Sequence, residues 1–557
     1  MLMQLMKISY GLCIPHSCSS DNLRNISQHA ENTLKLPIRT DIYDYNCRNE
    51  EKAILPFYED KYIISFFCAY TALLLISTCY DMMIHHSTKG DDNILVAFSV
   101  LRNGKQLFSS PDIADNRLGA LNGLKVIQML WIILGHRYIF NALSGITNFV
   151  YLQEWKQNLT TSILQSATYA VDTFLVLSGL LLSYFFLKHM DGNKNRQFPV
   201  LKMYLYRYLR LAPSLLAMIL FYISIFKILG DGPDWVQIAG RFSVACTRTW
   251  WATALFFNNY LDQSFSCVEH SWYLAVDTQL FLFSPILLMN LNKRPWKTCL
   301  ACVVICVCSG IYTYIITIQH NLGALLFEAN KEYLVRIYYP TPARMPPWFI
   351  GIIFGFLIHS YGNVKLSMVN KCLAWTFTLL LLCIPIYVQL FLNRADEYSA
   401  VNAAFCNSCT RQLWGIGIGI FSYLCTSGNG GIINEFLSLP IFQILVRFSY
   451  SMYLTHVPVM AYFIGEKRHP EYFATMKVAH QVMGDIPFIF LASTIWTLAF
   501  ESPFRVIGKL LNKKEITSEK IENQLNGTNH SREKIKKDTR KVKVISVYRT
   551  DDCKKIH

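Results

Sequence analysis

"ALNGLKVIQMLWIILGHRYIF", residues 120–140, is apolar enough to enter a bilayer, yet it carries Lys125 near one end and His136 eleven residues later. Eleven residues make about three helical turns, so both side chains lie on nearly the same face, on the order of 16 Å apart along the axis. They cannot touch each other, but they can line one path. From this pair alone, the pattern is equally that of a lysine snorkelling at the membrane edge and an unrelated histidine. The rest of the chain decides between the two.

Of its 557 residues, 52% are hydrophobic and 16% charged, and the mean hydropathy is +0.26, too apolar a balance for an ordinary soluble enzyme. Nearly uncharged runs recur at 62–79, 121–140, 163–187, 211–226, 271–289, 299–318, 346–358, 372–392, 413–427, 449–464 and 486–500. Several reach the length that hydrocarbon demands and the others fall short of it. The sequence therefore predicts an all-α, polytopic transmembrane helical bundle of about eleven spans.

Lysine and arginine orient the bundle. "KHMDGNKNRQFPVLKMYLYRYLR" after the third run, "NKRPWK" after the fifth, and residues 505–557, with fifteen Lys/Arg against seven Asp/Glu, are basic and expected in the cytoplasm. Intervening loops carry Cys246 and Cys267, the Cys406–Cys409 pair, and an Asn-Leu-Thr sequon at Asn158, features of an oxidising compartment. An odd span number puts the N-terminus outside and the C-terminus inside. Bridges are expected between Cys246 and Cys267 and within the C-x-x-C pair. The tail, polar and poor in aromatics, is expected to be disordered and able to adhere to anionic membrane lipids. Its charge is what the inner faces of a membrane protein carry, so nucleic acid is not an expected partner. No His/Cys cluster has metal-ligand spacing in a polar loop, and no metal is expected. Cys13, Cys18 and Cys47 precede the first run without the continuous apolar core of an export signal, so a longer outer segment is expected before them.

Charged groups inside spans are costly and by default functional or paired. On this topology His136, Asp172 and Asp277 lie in the outer halves of three spans, and His456 near the middle of a fourth. Four independent accidents would not be expected to share one zone, although a polar network gluing helices together would look similar. Lys125, Arg207 and Arg210 lie at the opposite level. Each alone reads as a cytoplasmic anchor; together they suggest a cationic mouth for an anionic molecule.

The motifs "NGLKVIQMLWIILGH" (122–136), "VDTFLVLSGLLLSY" (171–184), "YRYLRLAP" (206–213), "NNYLDQSFSCVEHSWYLAVDTQLFLFSP" (258–285), "PTPARMPPWFIGIIFGFLI" (340–358) and "FSYSMYLTHVPVMAYF" (448–463) occur in one order along the chain. In this they resemble the acyltransferase type 3 family, in its animal branch of "nose resistant to fluoxetine" proteins. "YGLCIPHSC" (10–18) resembles the end of the Cys-rich outer domain of that branch. The resemblance divides the chain into a remnant of that domain (1–60), a first span (61–80), a cytoplasmic linker (81–119), an acyltransferase type 3-like membrane domain (120–505) and the basic tail (506–557).

The resemblance implies transfer of an acyl group from a cytoplasmic acyl-CoA-type donor, with no bound cofactor, to a lipid or hydrophobic acceptor at the outer or luminal side. It implies catalytic roles for His136, Asp172, Asp277 and His456, donor binding by Lys125, Arg207 and Arg210, and substrate contacts from Trp272, Tyr273 and Arg344. Lys125 stands where the family pattern has arginine; the charge is kept and the planar fork is not. An imidazole suits removal of a hydroxyl proton, and a carboxylate, Asp172 or Asp277, is expected to fix its tautomer. The rival reading is a carrier for lipids or small hydrophobic molecules that works without chemistry. As a test of orientation, glycosidase-shift mapping should allow a glycan at Asn158 and find none at Asn526 or Asn529; a glycan on the tail would overturn the span count.

Overall fold

The structure, a computed structural model, describes residues 19–34, 60–85, 94–110, 117–191, 198–262, 265–324, 331–394 and 399–511. Cys13, Cys18, Cys47, Asn526 and Asn529 lie outside these residues. Among those described, the chain is helical: α1 (Ser20–Leu34), α2 (Lys61–His85), α3 (Val100–Phe108), α4 (Gly119–Leu143), α5 (Tyr169–Met190), α6 (Val200–Ile223), α7 (Trp235–Ala254), α8 (Trp272–Lys293), α9 (Pro295–Gln319), α10 (Pro346–Tyr361), α11 (Met368–Arg394), α12 (Ala400–Thr426), α13 (Ser449–Gly465) and α14 (Thr475–Trp496) form its frame.

Every apolar run of the sequence falls largely on one of these helices, but the span count differs from eleven. Among the described residues, seven helices are long and apolar enough to cross a membrane, or eight if α12 and the segment Gly431–Leu437, bent by 90°, count as one. The physical reasons are local. The first three turns of α6 hold Lys202, Arg207 and Arg210. α10 and α13 have only 16 and 17 residues, short of the roughly 20 that span hydrocarbon.

α5 sits at the centre. Its apolar window is 72% buried, against 11% for α2 at the periphery. Glycine lets the α5 backbone meet that of α10. A Cβ on Gly351 would fall 2.1 Å from the Val176 carbonyl oxygen, one on Gly355 2.3 Å from that of Leu180, and one on Gly179 2.2 Å from that of Trp348. Gly351 and Gly355 are four apart, the small-residue spacing by which membrane helices approach closely. α2 is tied on by the Tyr70 hydroxyl, which donates to the Ala499 carbonyl at 2.7 Å, and by Arg102 of α3, paired with Asp81 at 2.6 Å.

The Cys246–Cys267 disulfide is present. The segment it closes is not a plain loop, because Cys246 lies within α7. Closing 21 residues restrains the unfolded chain by about 3 kcal/mol in the chain-entropy account. The expected Cys406–Cys409 bridge is absent: both are free thiols on α12, one buried and one exposed. Three residues of helix turn one of them into the bundle and the other away from it.

Gly351→Ala should lower the Tm in detergent and cost about 3 kcal/mol, the upper end for overpacking, because the added methyl meets backbone that cannot swing aside. An unchanged Tm would contradict the close approach of α5 and α10.

Candidate active site

α4 carries His136 and α13 carries His456. Beside His136, Gly135 lets α4 approach the turn before α5, since a Cβ there would lie 2.4 Å from the Ala167 side chain. The two imidazoles meet, with Nε2 of His456 3.3 Å from Nδ1 of His136 and ring centroids 4.9 Å apart. Nδ1 of His136 is also 3.0 Å from the Ile132 carbonyl, and Nδ1 of His456 is 3.2 Å from the Met452 carbonyl.

One assignment of protons satisfies all three contacts. His456 Nδ1–H donates to Met452. His136 Nδ1–H donates to Ile132 and is shared with the lone pair of His456 Nε2. His136 Nε2 is then left with its lone pair and no hydrogen-bond partner among the described residues. A basic nitrogen on a half-buried, oriented ring is what a proton acceptor requires.

A third ring completes the cluster. His270 stands edge-on to His456 at 5.2 Å and to Tyr453 at 5.4 Å between ring centroids. The Tyr453 hydroxyl donates to the His270 carbonyl. Both ring nitrogens of His270 are buried without a hydrogen-bond partner among the described residues. Sequence reasoning missed His270. Its signal was an ionisable residue beside a membrane run, hidden inside a motif quoted for other residues.

The two carboxylates lie elsewhere. Asp172 is fully buried and bound by two arginines: Arg344 Nη1 at 2.9 and 3.1 Å from its two oxygens, and Arg411 Nη1 at 3.0 Å. The second positive charge is faced by aromatic rings. Arg344 lies over Tyr338 at 4.2 Å and Trp272 at 4.9 Å, and Arg411 over Tyr338 at 5.8 Å, an arrangement that helps hold buried cations. A cavity of about 10 Å³ beside Arg411, lined by Gln165, Tyr169, Tyr333 and Thr410, has room for about one water. Asp277 accepts from the Ser178 hydroxyl at 2.6 Å and pairs with Arg207, whose guanidinium lies 4.0 Å from the Phe281 ring centroid.

Neither carboxylate hydrogen-bonds to His136 or His456. The tautomer is held by a second histidine and by helix carbonyls, because both acids are already committed to arginines. Arg207 and Asp277, placed at opposite levels by the sequence reading, are in contact. Of the expected substrate contacts, Arg344 and Trp272 belong to the buried Asp172 cluster. Tyr273 packs against Tyr453, 5.8 Å between centroids, beside the histidines. Arg411 was missed because its stretch read as an outer loop, whereas it lies inside α12. So was Arg137, next to His136 in sequence and 3.3 Å from Asp485 of α14.

Lys125 and Arg210 occupy the other end of the path. Lys125 is half-buried and Arg210 exposed, they lie within electrostatic reach of one another, and neither makes a hydrogen bond or ion pair with the described residues.

Apolar spanning helices around this histidine cluster define a multi-pass membrane protein. The acyltransferase type 3 family model, described as "Acyltransferase domain", matches residues 118–502. The chain belongs to that family. It is 24% identical to "Nose resistant to fluoxetine protein 6" of Caenorhabditis elegans, over 93% of this chain and 68% of that protein. It is also 24% identical to "Regulator of hypoxia-inducible factor 1" of the same animal, over 74% of this chain and 84% of that one. A Staphylococcus aureus (strain COL) protein provisionally named an O-acetyltransferase is 23% identical over 70% of this chain and 58% of its own length. No solved structure matches.

Asp172→Asn should remove most folded protein, at about 3–5 kcal/mol for stranding buried guanidinium groups. Asp277→Asn should cost less, because Arg207 keeps access to solvent. Size-exclusion chromatography of a fluorescent fusion ranks the two.

Proposed function

We propose that this protein is an O-acyltransferase that moves an acyl group from a cytoplasmic acyl-CoA-type donor to a hydroxyl acceptor at the outer or luminal side. On this reading eleven helices cross the membrane, the shorter α10 and α13 and the charged α6 being shielded by their neighbours, and the C-terminus is cytoplasmic. Family membership supports acyl transfer as the class of reaction. The observation that carries the reading to these residues is the His136–His456 contact, which leaves Nε2 of His136 as an oriented lone pair.

His136 Nε2 takes the proton of the acceptor hydroxyl as its oxygen attacks the thioester carbonyl. The tetrahedral intermediate collapses, the C–S bond breaks, and the departing thiolate recovers that proton from His136. His456 accepts from Nδ1–H throughout, so it steadies the ring while positive charge resides there. Tyr273, packed against Tyr453 beside the histidines, borders the acceptor on this reading. Lys125 and Arg210 attract the anionic donor from the cytoplasmic side, one helix face linking entry to chemistry. The acceptor is a lipid or a hydrophobic compound, the roles being lipid handling or uptake of foreign compounds.

Purified protein supplied with radiolabelled acyl-CoA and membrane lipid should transfer label. His136→Ala should lower the rate about 10²–10⁴-fold while expression persists. Lys125→Arg should retain or raise activity, and Lys125→Glu should weaken donor binding through charge. Uptake of hydrophobic compounds that persists in His136→Ala, with no transfer by wild type, would replace the enzyme with a carrier.

A further inference from the structure

A cavity of about 260 Å³ opens at the Lys125 end of the bundle, lined by Asn103, Gln106, Ser109, Arg447, Ser502 and Arg505 among others. It forms where the C-terminus of α3 meets the turn before α13 and the helical extension of α14. Arg447 fixes this junction. Its Nη1 donates to the carbonyls of Gln106, Leu107 and Ser109 at 2.8 to 2.9 Å, so it caps the last carbonyls of α3. Nε and Nη2 of Arg447 make no hydrogen bond with the described residues, and no carboxylate among them pairs with its charge. Arg505 lies within electrostatic reach of Arg447 and is shared with Glu501, which Ser451 also holds at 2.9 Å.

The cations continue inward. Arg210 feels Glu501 first and then Arg505 and Arg207, and Lys125 feels Arg210. A path with an excess of positive charge thus runs from the cavity to the foot of the helix face that ends at His136. Fields of one sign in a low-dielectric cleft concentrate the opposite charge. Two guanidinium groups with serine hydroxyls and an amide beside them fit phosphate oxygens. The volume falls below that of pockets that enclose a whole drug-sized ligand, so it suits the charged end of a longer one. Residues 103–109, 505 and 506 lie outside the stretch that matches the family.

We propose that this cavity is a phosphate-binding site. Resting on the acyl-CoA reading above, its occupant is the nucleotide end of the donor, whose thiol-bearing arm follows Arg210 and Lys125 toward His136.

Gln106 is exposed on the cavity wall, so its charge can be changed with little cost to folding. Equilibrium binding of radiolabelled CoA to the full-length protein in phosphatidylcholine nanodiscs tests the site. Gln106→Glu should weaken binding about three- to tenfold and Gln106→Lys should tighten it by a similar factor, both effects shrinking as salt rises. His136→Ala should bind CoA like wild type, so a charge-dependent CoA site without acyl transfer fails the catalytic reading alone. A second arm replaces CoA with phosphatidic acid in the discs. If its retention alone follows the charge at 106, the phosphate site stands with a lipid headgroup as its source, and the donor's place in it falls. Binding of both probes that ignores the charge at 106 overturns the inference.

Discussion

The shared carboxylate of Asp172 holds the bundle in register. It lies near the start of α5, and its two arginines come from the turn before α10 and from the middle of α12. One buried acid therefore joins three helices, and removing it would leave two guanidinium charges in a medium that cannot solvate them. The close contact of α5 with α10 follows from the same arrangement. Once Arg344 is pinned to Asp172, the helix that follows it is laid along α5, and glycine at 179, 351 and 355 lets the backbones touch. Six residues further along α5, Ser178 reaches Asp277 and so brings α8 and Arg207 into the same frame.

Against this frame the histidines have some independence. They sit on α4 and α13, apart from the Asp172 and Asp277 pairs, and they orient one another. A carboxylate beside His136 would have strengthened its basicity. A second imidazole offers an acceptor for Nδ1–H without adding a fixed negative charge. Both acids, Asp172 and Asp277, are matched by arginines rather than by the histidines.

Hydropathy made the helices legible, because backbone in lipid has to satisfy its own hydrogen bonds and apolar runs have few alternatives. By length and composition alone, fewer than eleven helices among the described residues qualify as crossings, since α6 carries charge and α10 and α13 are short. His136 and His456 were legible as ionisable groups in apolar runs. Their contact was not, being made across 320 residues of sequence. Arg411 was lost because a nearby C-x-x-C pattern argued for a loop, and a cysteine pair three apart serves as well on a helix as in a turn. The assignment of an acid to His136 failed for a related reason: sequence shows that a charge is buried but not which opposite charge reaches it first.

The glycine contact between α5 and α10 also has a mechanical consequence. Two helices touching at main-chain distance cannot slide or splay without losing contact along several turns, so they behave as one stiff beam. Internal prolines at 213, 285, 385, 458 and 487 each remove a rung from the ladders of α6, α8, α11, α13 and α14. Bending is thus left to helices around the beam, while α5 has no proline and α10 has them only at its first turn.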